Sequence, residues 1–403
     1  MSKLFSPWPC YSEEEAFAVK KVILSNKVNY WTGNETREFE EAFAKWLGVK
    51  YAVALANGTL ALEGALRAIG VGDGDEVIVT PRTFIASASS IVNCGATPIF
   101  ADVDLNSGNI TAETISKVLS EKTKAVICVH LAGWPCDMDP IMELASAHGF
   151  KVIEDCAQAH GGKYKGRLLG SIGHIAAWSF CQDKIMTTAG EGGMVTTNNE
   201  NLWNFIWSYK DHGKGYDAVY EKHHAAGFRW LHASIGSNWR MMEVQAVIGK
   251  IQLAKLSEWT QIRNRNAGKI LDQCKKHKAF RVPVFHCSEK CLNDFDCGTS
   301  CVHAYYKCYV YINKAYLNPG WSRDRVIEEI TLAGVPCFYG SCSEVYLEKA
   351  FLDRELQPKS RLKNARELGE TSVMFLVHPT LSDAEIDELC SRIGSVMSQA
   401  SAD

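Results

Sequence analysis

The sequence has no apolar run that approaches the about 18–20 residues needed to span a bilayer. It has no strong excess of one charge either, since the formal net charge is −3. That balance argues against nucleic acid as a partner. Short basic tracts such as Lys275-Lys276-His277-Lys278 read as a solvated helix face. The opening MSKLFSPWPCYSEEE lacks an apolar leader and turns acidic at once, so no signal peptide is expected. Internal repeats and low-complexity linkers are also absent. The expectation is a cytoplasmic chain with neither a membrane nor a nucleic-acid partner.

What is present is an ordinary globular mixture: 403 residues, 46% apolar and 22% charged. That length supports one large core and a smaller domain. Cysteine is abundant, at 15. Most sit singly in apolar runs, as Cys128 does in AVICVHL and Cys94 in IVNCGA. A buried thiol behaves there as a small hydrophobe, and a disulfide framework is not expected in a cytosolic chain. One cluster differs: HCSEKCLNDFDCGTSCVH carries Cys287, Cys291, Cys297 and Cys301. These form two Cys-x₃-Cys pairs that could supply thiolates to zinc, but the usual structural-zinc pattern has tighter pairs set further apart. A polar loop with free thiols, and no metal, is the expectation.

Strand-like runs occur at 51–56, 76–80, 98–102, 125–131, 151–154, 175–180 and 193–197. Helical patterns lie between several of them. Leu62, Ala65, Leu66 and Ile69 share one helical face, and another helix is predicted over 140–148. This alternation predicts an α/β domain with a mostly parallel seven-stranded sheet covered on both sides. A long helix is predicted over 241–259 and a further one over 261–278. Extended runs follow at 281–285 and 304–312, with helices at 322–333, at 360–370 and at the end. The expected domains are residues 1–255, with an N-terminal helical segment, and a smaller α+β unit at 256–403.

Three segments carry candidate chemistry. In SFCQDKIMTTAGEGG, residues 179–193, Lys184 follows a strand and precedes a glycine-rich turn. Alone, such a lysine is a solvated charge. Held behind a strand end, it can be desolvated enough for its amine to be neutral and nucleophilic. In VIEDCAQAHGG, residues 152–162, Glu154 and Asp155 end a strand, and alternation sends them to opposite sides. One can face a pocket at the carboxyl edge of the sheet, where ligands of α/β proteins bind. The plain alternative is a carboxylate pair that caps a turn. In ALANGTLALEGAL, residues 54–66, a strand runs through Asn57-Gly58-Thr59 into a helix whose free N–H groups suit a phosphate. The plain alternative is an N-cap. GVGDGDE, residues 70–76, follows a helix and precedes a strand, the wrong context for a dinucleotide loop, so it reads as a helix-ending turn.

Taken in order, these segments resemble a known family. EFEEAFAKWLGVKYAVALANGTLALEGAL, GDGDEVIVTPRTFIASA, GATPIFADVD, VIEDCAQAHGGKYKGRLLGSIG, SFCQDK, GEGG and SNWRMMEVQAVIGKIQL are similar to the DegT/DnrJ/EryC1/StrS group of pyridoxal-phosphate (PLP) sugar aminotransferases, of fold type I. The match is good over 39–255 and looser beyond. The resemblance implies that Lys184 is the Schiff-base lysine and that Asp155 partners the pyridine nitrogen. It places Gln158 near the cofactor's ring hydroxyl and Phe84 against the ring. Gly58, Thr59 and Ser179 become phosphate contacts, and Asn238 a phosphate contact from the neighbouring subunit of a homodimer with shared active sites.

The resemblance further implies an amino-acid donor, L-glutamate, and a nucleotide-linked 4-keto-6-deoxy sugar as acceptor, in amino-sugar and surface-polysaccharide (O-antigen) biosynthesis. Two departures stand out. The family's SFHxxK reads SFCQDK here, and its late histidine–tyrosine–proline segment is replaced in GVPCFYGSCSEVY. A dehydratase of the same fold would replace the lysine by histidine, whereas Lys184 is intact. The acceptor stays open to a cyclitol or an aromatic precursor. A PLP-binding regulator would carry a fused DNA-binding segment, and none is visible.

Overall fold

Seven apolar runs form strands close to where the pattern puts them. They are β1 (Tyr51–Leu55), β2 (Glu76–Val79), β3 (Thr97–Phe100), β4 (Thr123–Val129), β5 (Lys151–Asp155), β8 (Ile175–Ser179) and β9 (Gly193–Thr197). A small hairpin, β6 (Lys163–Tyr164) with β7 (Arg167–Leu168), lies between β5 and β8 in the chain. The structure is a computed structural model that describes residues 5–284 and 301–401.

The seven strands join in the order β1-β9-β8-β5-β4-β2-β3. Those from β8 to β3 pair in parallel, and β9 runs antiparallel to both its neighbours. Successive side chains of a strand enter opposite cores. In β4, Ala125, Ile127 and Val129 pack on one face while Val126 and Cys128 pack on the other. Burial on both faces explains why these strands read as near-continuous apolar runs. Phe39, Phe43, Trp178 and Phe180 form an aromatic cluster under helix Glu35–Leu47, with Phe43 5.1 Å from Trp178 and 5.7 Å from Phe180.

A second sheet, β10 (Phe280–Arg281), β11 (Cys308–Ile312), β12 (Cys337–Phe338) and β13 (Ser372–Phe375), is antiparallel in the order β10-β11-β13-β12. Helices Arg323–Leu332 and Asp383–Ala400 complete its separate core. Of the predicted extended run at 281–285, Arg281 is in β10 and residue 285 lies outside the described residues. Of the four clustered cysteines, Cys287, Cys291 and Cys297 also lie outside them.

One helix differs from expectation. The two helices predicted at 241–259 and 261–278 are a single helix, Glu243–Cys274, of 32 residues. At 1.5 Å per residue it is about 48 Å long. Nothing at the expected break ends a helix: Thr260 turns its hydroxyl back to the Leu256 carbonyl at 2.9 Å and stays helical. The pattern changes because the buried face changes partner. Ala246, Leu253 and Leu256 join the core of the first sheet, and Ala267, Ile270, Leu271 and Cys274 that of the second. The expected boundary at 255/256 therefore falls inside this helix. Its first residue, Glu243, is fully buried and accepts N–H bonds from Glu35 and Thr36, capping a helix whose own N-cap, Asn34, makes no such bond.

Phe43 is fully buried at the centre of the aromatic cluster. Truncating Phe43→Ala should cost about 3–5 kcal/mol. A lower urea midpoint at unchanged slope would show it, and an unchanged midpoint would remove the cluster from the core's support.

Candidate active site

The carboxyl ends of β1, β2, β5 and β8 open together onto a cavity of about 900 Å³. Its wall includes Gly58, Thr59, Phe84, Asp155, Gln158, Ser179 and Lys184. Seven of the eight residues singled out from the sequence thus meet in one place.

Local geometry explains each position. Asn57 caps helix Gly58–Ala68 by accepting the Leu60 N–H at 3.0 Å. The N-cap reading is therefore correct. It does not use up the first turn, whose other N–H groups have no partner within the helix. The helix tip presses on the end of β8. A Cβ on Gly58 would lie 2.6 Å from the Ser179 Cβ, so only glycine fits. The result is a cradle of backbone N–H groups with the Thr59 and Ser179 hydroxyls beside it, a donor set suited to a phosphate.

The two carboxylates that end β5 separate as alternation requires. Asp155 faces the cavity. Its Oδ2 accepts from the Ser87 hydroxyl at 2.7 Å and its Oδ1 from the Ala157 N–H at 3.1 Å. Burial raises its pKa above the ordinary aspartate value; Ser87, Ala157 and the Lys184 charge oppose this only in part. A carboxylate in that state gains from a cationic neighbour. Glu154 points the other way and accepts N–H bonds from Gly170, Ile172 and Gly173 at 2.6–2.8 Å.

Glu154 also meets His130 Nε2 at 3.0 Å. Burial alone would raise the Glu154 pKa, but His130 and the N–H groups outweigh it and hold the carboxyl below its usual 4.5. His130, Glu154 and Cys156 lie close enough to hold an ion. However, His130 Nδ1 accepts from the Cys136 N–H at 3.0 Å, which leaves Nε2 as the donor to Glu154. Burial also keeps the Cys156 thiol protonated. The group is a hydrogen-bonded support for β5.

Lys184 is held from outside its own loop. Its carbonyl accepts from Trp8 Nε1 at 2.9 Å, and its ammonium stands 4.9 Å from the Tyr306 ring centroid. The Tyr306 hydroxyl donates to Asp183, the residue before it. Phe84 lines the cavity with 67% of its surface exposed, an aromatic face open to a ligand. Gln158 is buried, and its Oε1 accepts the Ala132 N–H at 2.8 Å. The cradle, the buried carboxylate, the open ring and the lysine fit PLP.

Asn238 does not line the cavity; its backbone pairs with Asp211. Sequence reasoning missed Thr83, Ser87, Asp183 and Tyr306. Ser87 lies one helical turn from Phe84, so the signal existed. Tyr306 arrives from the lead-in to β11 and had no local signal. Cys181, where the family motif has histidine, lines the cavity with its thiol 3.8 Å from Glu191. Gly340, Ser341 and Cys342 of GVPCFYGSCSEVY line it too.

An α/β fold whose lysine, buried carboxylate and phosphate cradle share one sheet edge defines a PLP-transferase class of site. The chain belongs to the DegT/DnrJ/EryC1/StrS aminotransferase family, which it matches over residues 9–394. It is 36% identical over 364 residues to GDP-perosamine synthase of Caulobacter vibrioides, covering 89% of each chain. The X-ray structure of an aminotransferase from Psychrobacter cryohalolentis is similar at 60% identity and a TM-score of 0.94, over 98% of this chain and 99% of that one. A 3-amino-5-hydroxybenzoic acid synthase is similar at 25% identity and a TM-score of 0.83, over 98% and 99%. The fold is that of fold type I, as expected.

The Glu154 pair should show in acid. Because its folded pKa is lowered, its contribution is complete above about pH 4.5 and is lost as pH falls through the folded value. Glu154→Gln should be less stable at pH 7, and its urea midpoint should fall less steeply than the wild type's as pH drops below about 4.5. Parallel curves would contradict the assignment.

Proposed function

We propose that this chain is a PLP-dependent aminotransferase that moves an amino group from an amino acid, L-glutamate, to a nucleotide-linked 4-keto-6-deoxy sugar in amino-sugar biosynthesis. The observation that carries the reading is the convergence of Lys184, Asp155 and the Gly58 cradle on one cavity. The name of the Caulobacter relative supports a nucleotide sugar as the acceptor class.

Bound PLP supplies an electron sink for charge formed at the donor's α-carbon. Lys184 would hold the cofactor at rest, and its freed amine would serve as the base and then the acid that moves the donor's α-proton. Asp155, whose pKa burial raises, would hold a proton on the pyridine nitrogen. Gly58, Thr59 and Ser179 would take the phosphate, and Phe84 and Gln158 would contact the ring. Anchoring at both ends would hold the ring in register with Lys184.

The working unit in this reading is a homodimer in which Asn238 serves the neighbouring site. Phe228, Trp230 and Ile235, which precede it, are 79%, 85% and 93% exposed, an apolar surface that suits a partner. The two folding units are residues 1–255 and 256–403, joined through the long helix. Among the described residues no helix is long and apolar enough to cross a membrane. The described cysteines are all free thiols, which fits a cytoplasmic enzyme.

The test is spectroscopic. Purified wild type should be yellow and should lose that band on addition of glutamate. Lys184→Ala should lack the wild-type band and turn over at least about 100-fold more slowly, the scale of a lost general base. A colourless wild type, or an unchanged band in the variant, would defeat the assignment.

A further inference from the structure

An amino-acid donor brings a carboxylate to the site, and glutamate brings two. A carboxylate that leaves water needs a cation or several N–H donors. The cavity wall supplies few. Its charged residues are Asp155, Asp183, Glu191, Glu348 and Lys184, so Lys184 is the sole cation among the described lining residues. Lys184 is occupied with the cofactor and with proton transfer. Within this chain, the donor's carboxylate can be met by a group just behind the wall.

One amine is placed for this. Lys307 follows Tyr306, whose ring forms part of the wall. The Lys307 ammonium stands 4.6 Å from that ring's centroid, and the Lys184 ammonium 4.9 Å from the same centroid. Two amines share one aromatic platform. Lys307 makes no ion pair or hydrogen bond to any described residue. Burial pushes its pKa down to about 8; Asp183 opposes this, while Arg263 and Lys184 add to it. Asp183 is already engaged by the Tyr306 hydroxyl.

The nearby Arg263 adds positive charge, and among the described residues no carboxylate pairs with it. It is 1% exposed and donates from Nη1 to the carbonyls of Tyr305 and Tyr306 at 3.2 and 3.5 Å. Its Nε and Nη2 have no described partner. Buried cations without a counter-charge are costly, and an arriving anion relieves that cost. The lysine's flexible stem lets its ammonium move to meet one.

We propose that Lys307 binds the carboxylate of the amino donor, with the Arg263 charge reinforcing it. This rests on the amino-acid-donor reading above. It assigns the two half-reactions different needs: the donor half depends on Lys307, and an acceptor without a carboxylate does not.

The experiment uses the PLP-loaded protein and two probes. Glutarate, a dicarboxylate without an amine, is titrated by its effect on the visible band and on protein fluorescence. Glutamate is titrated by single-turnover loss of the band. Lys307→Met and Lys307→Gln should keep the yellow colour, yet need about 10- to 100-fold more of either probe, the scale of one charge-assisted hydrogen bond. The limiting rate of band loss should change much less, and Lys307→Arg should recover part of the affinity. Unchanged half-saturation in both neutral variants overturns the proposal, as does loss of colour, which would make Lys307 a cofactor-retaining group. If glutamate fails to bleach the wild type, the donor reading fails. The glutarate titration still decides whether Lys307 binds a carboxylate.

Discussion

Gly58 packs against Ser179 so closely that a methyl group on it would sit 2.6 Å from the serine Cβ, and the remainder of the site is built out from this contact. It brings a helix N-terminus onto the end of β8 and leaves its N–H groups facing open space. Strand order does the rest. β5 lies beside β8, so Asp155 ends within the same cavity. The chain leaving β8 reaches Lys184 within five residues of Ser179. Gly58 and Asp155 thus meet at strand ends, and only Lys184 is carried there by a loop.

The first sheet was legible because both of its faces are buried, which writes each strand as an apolar run. Its carboxylates were legible for the same reason: period-2 alternation already separated Glu154 from Asp155. The unbroken helix Glu243–Cys274 was not legible. A pattern change usually marks a break, and here it marks a helix that leaves one core for another. Tyr306 and Lys307 were invisible as site residues because their proximity to Lys184 comes from packing between two sheets. Asn238 could be singled out only by resemblance, since nothing within the chain brings it to the cavity.

The cavity has two kinds of wall. The first sheet supplies the side that carries Gly58, Asp155 and Ser179. The second unit supplies Tyr306 and the Gly340–Cys342 turn, which Tyr309 holds through its hydroxyl, 2.7 Å from the Ser341 N–H. That turn presents a hydroxyl and a thiol where the family often shows a histidine. Trp8 links the N-terminal segment to this arrangement: it donates to the Lys184 carbonyl and packs edge-on against Trp259 at 5.2 Å. The two walls come from distant parts of the chain, yet Tyr306 and Tyr309 pack into the same core as Trp178 and Phe180, so both sides share one support.

The central claim is that Lys184 bears the cofactor. Its most direct test is borohydride reduction of the yellow protein, followed by digestion and mass spectrometry of the peptides. The account predicts one pyridoxyl-phosphate label per chain, on the peptide containing Lys184. A label on another lysine, Lys307 included, or no label at all, would contradict it.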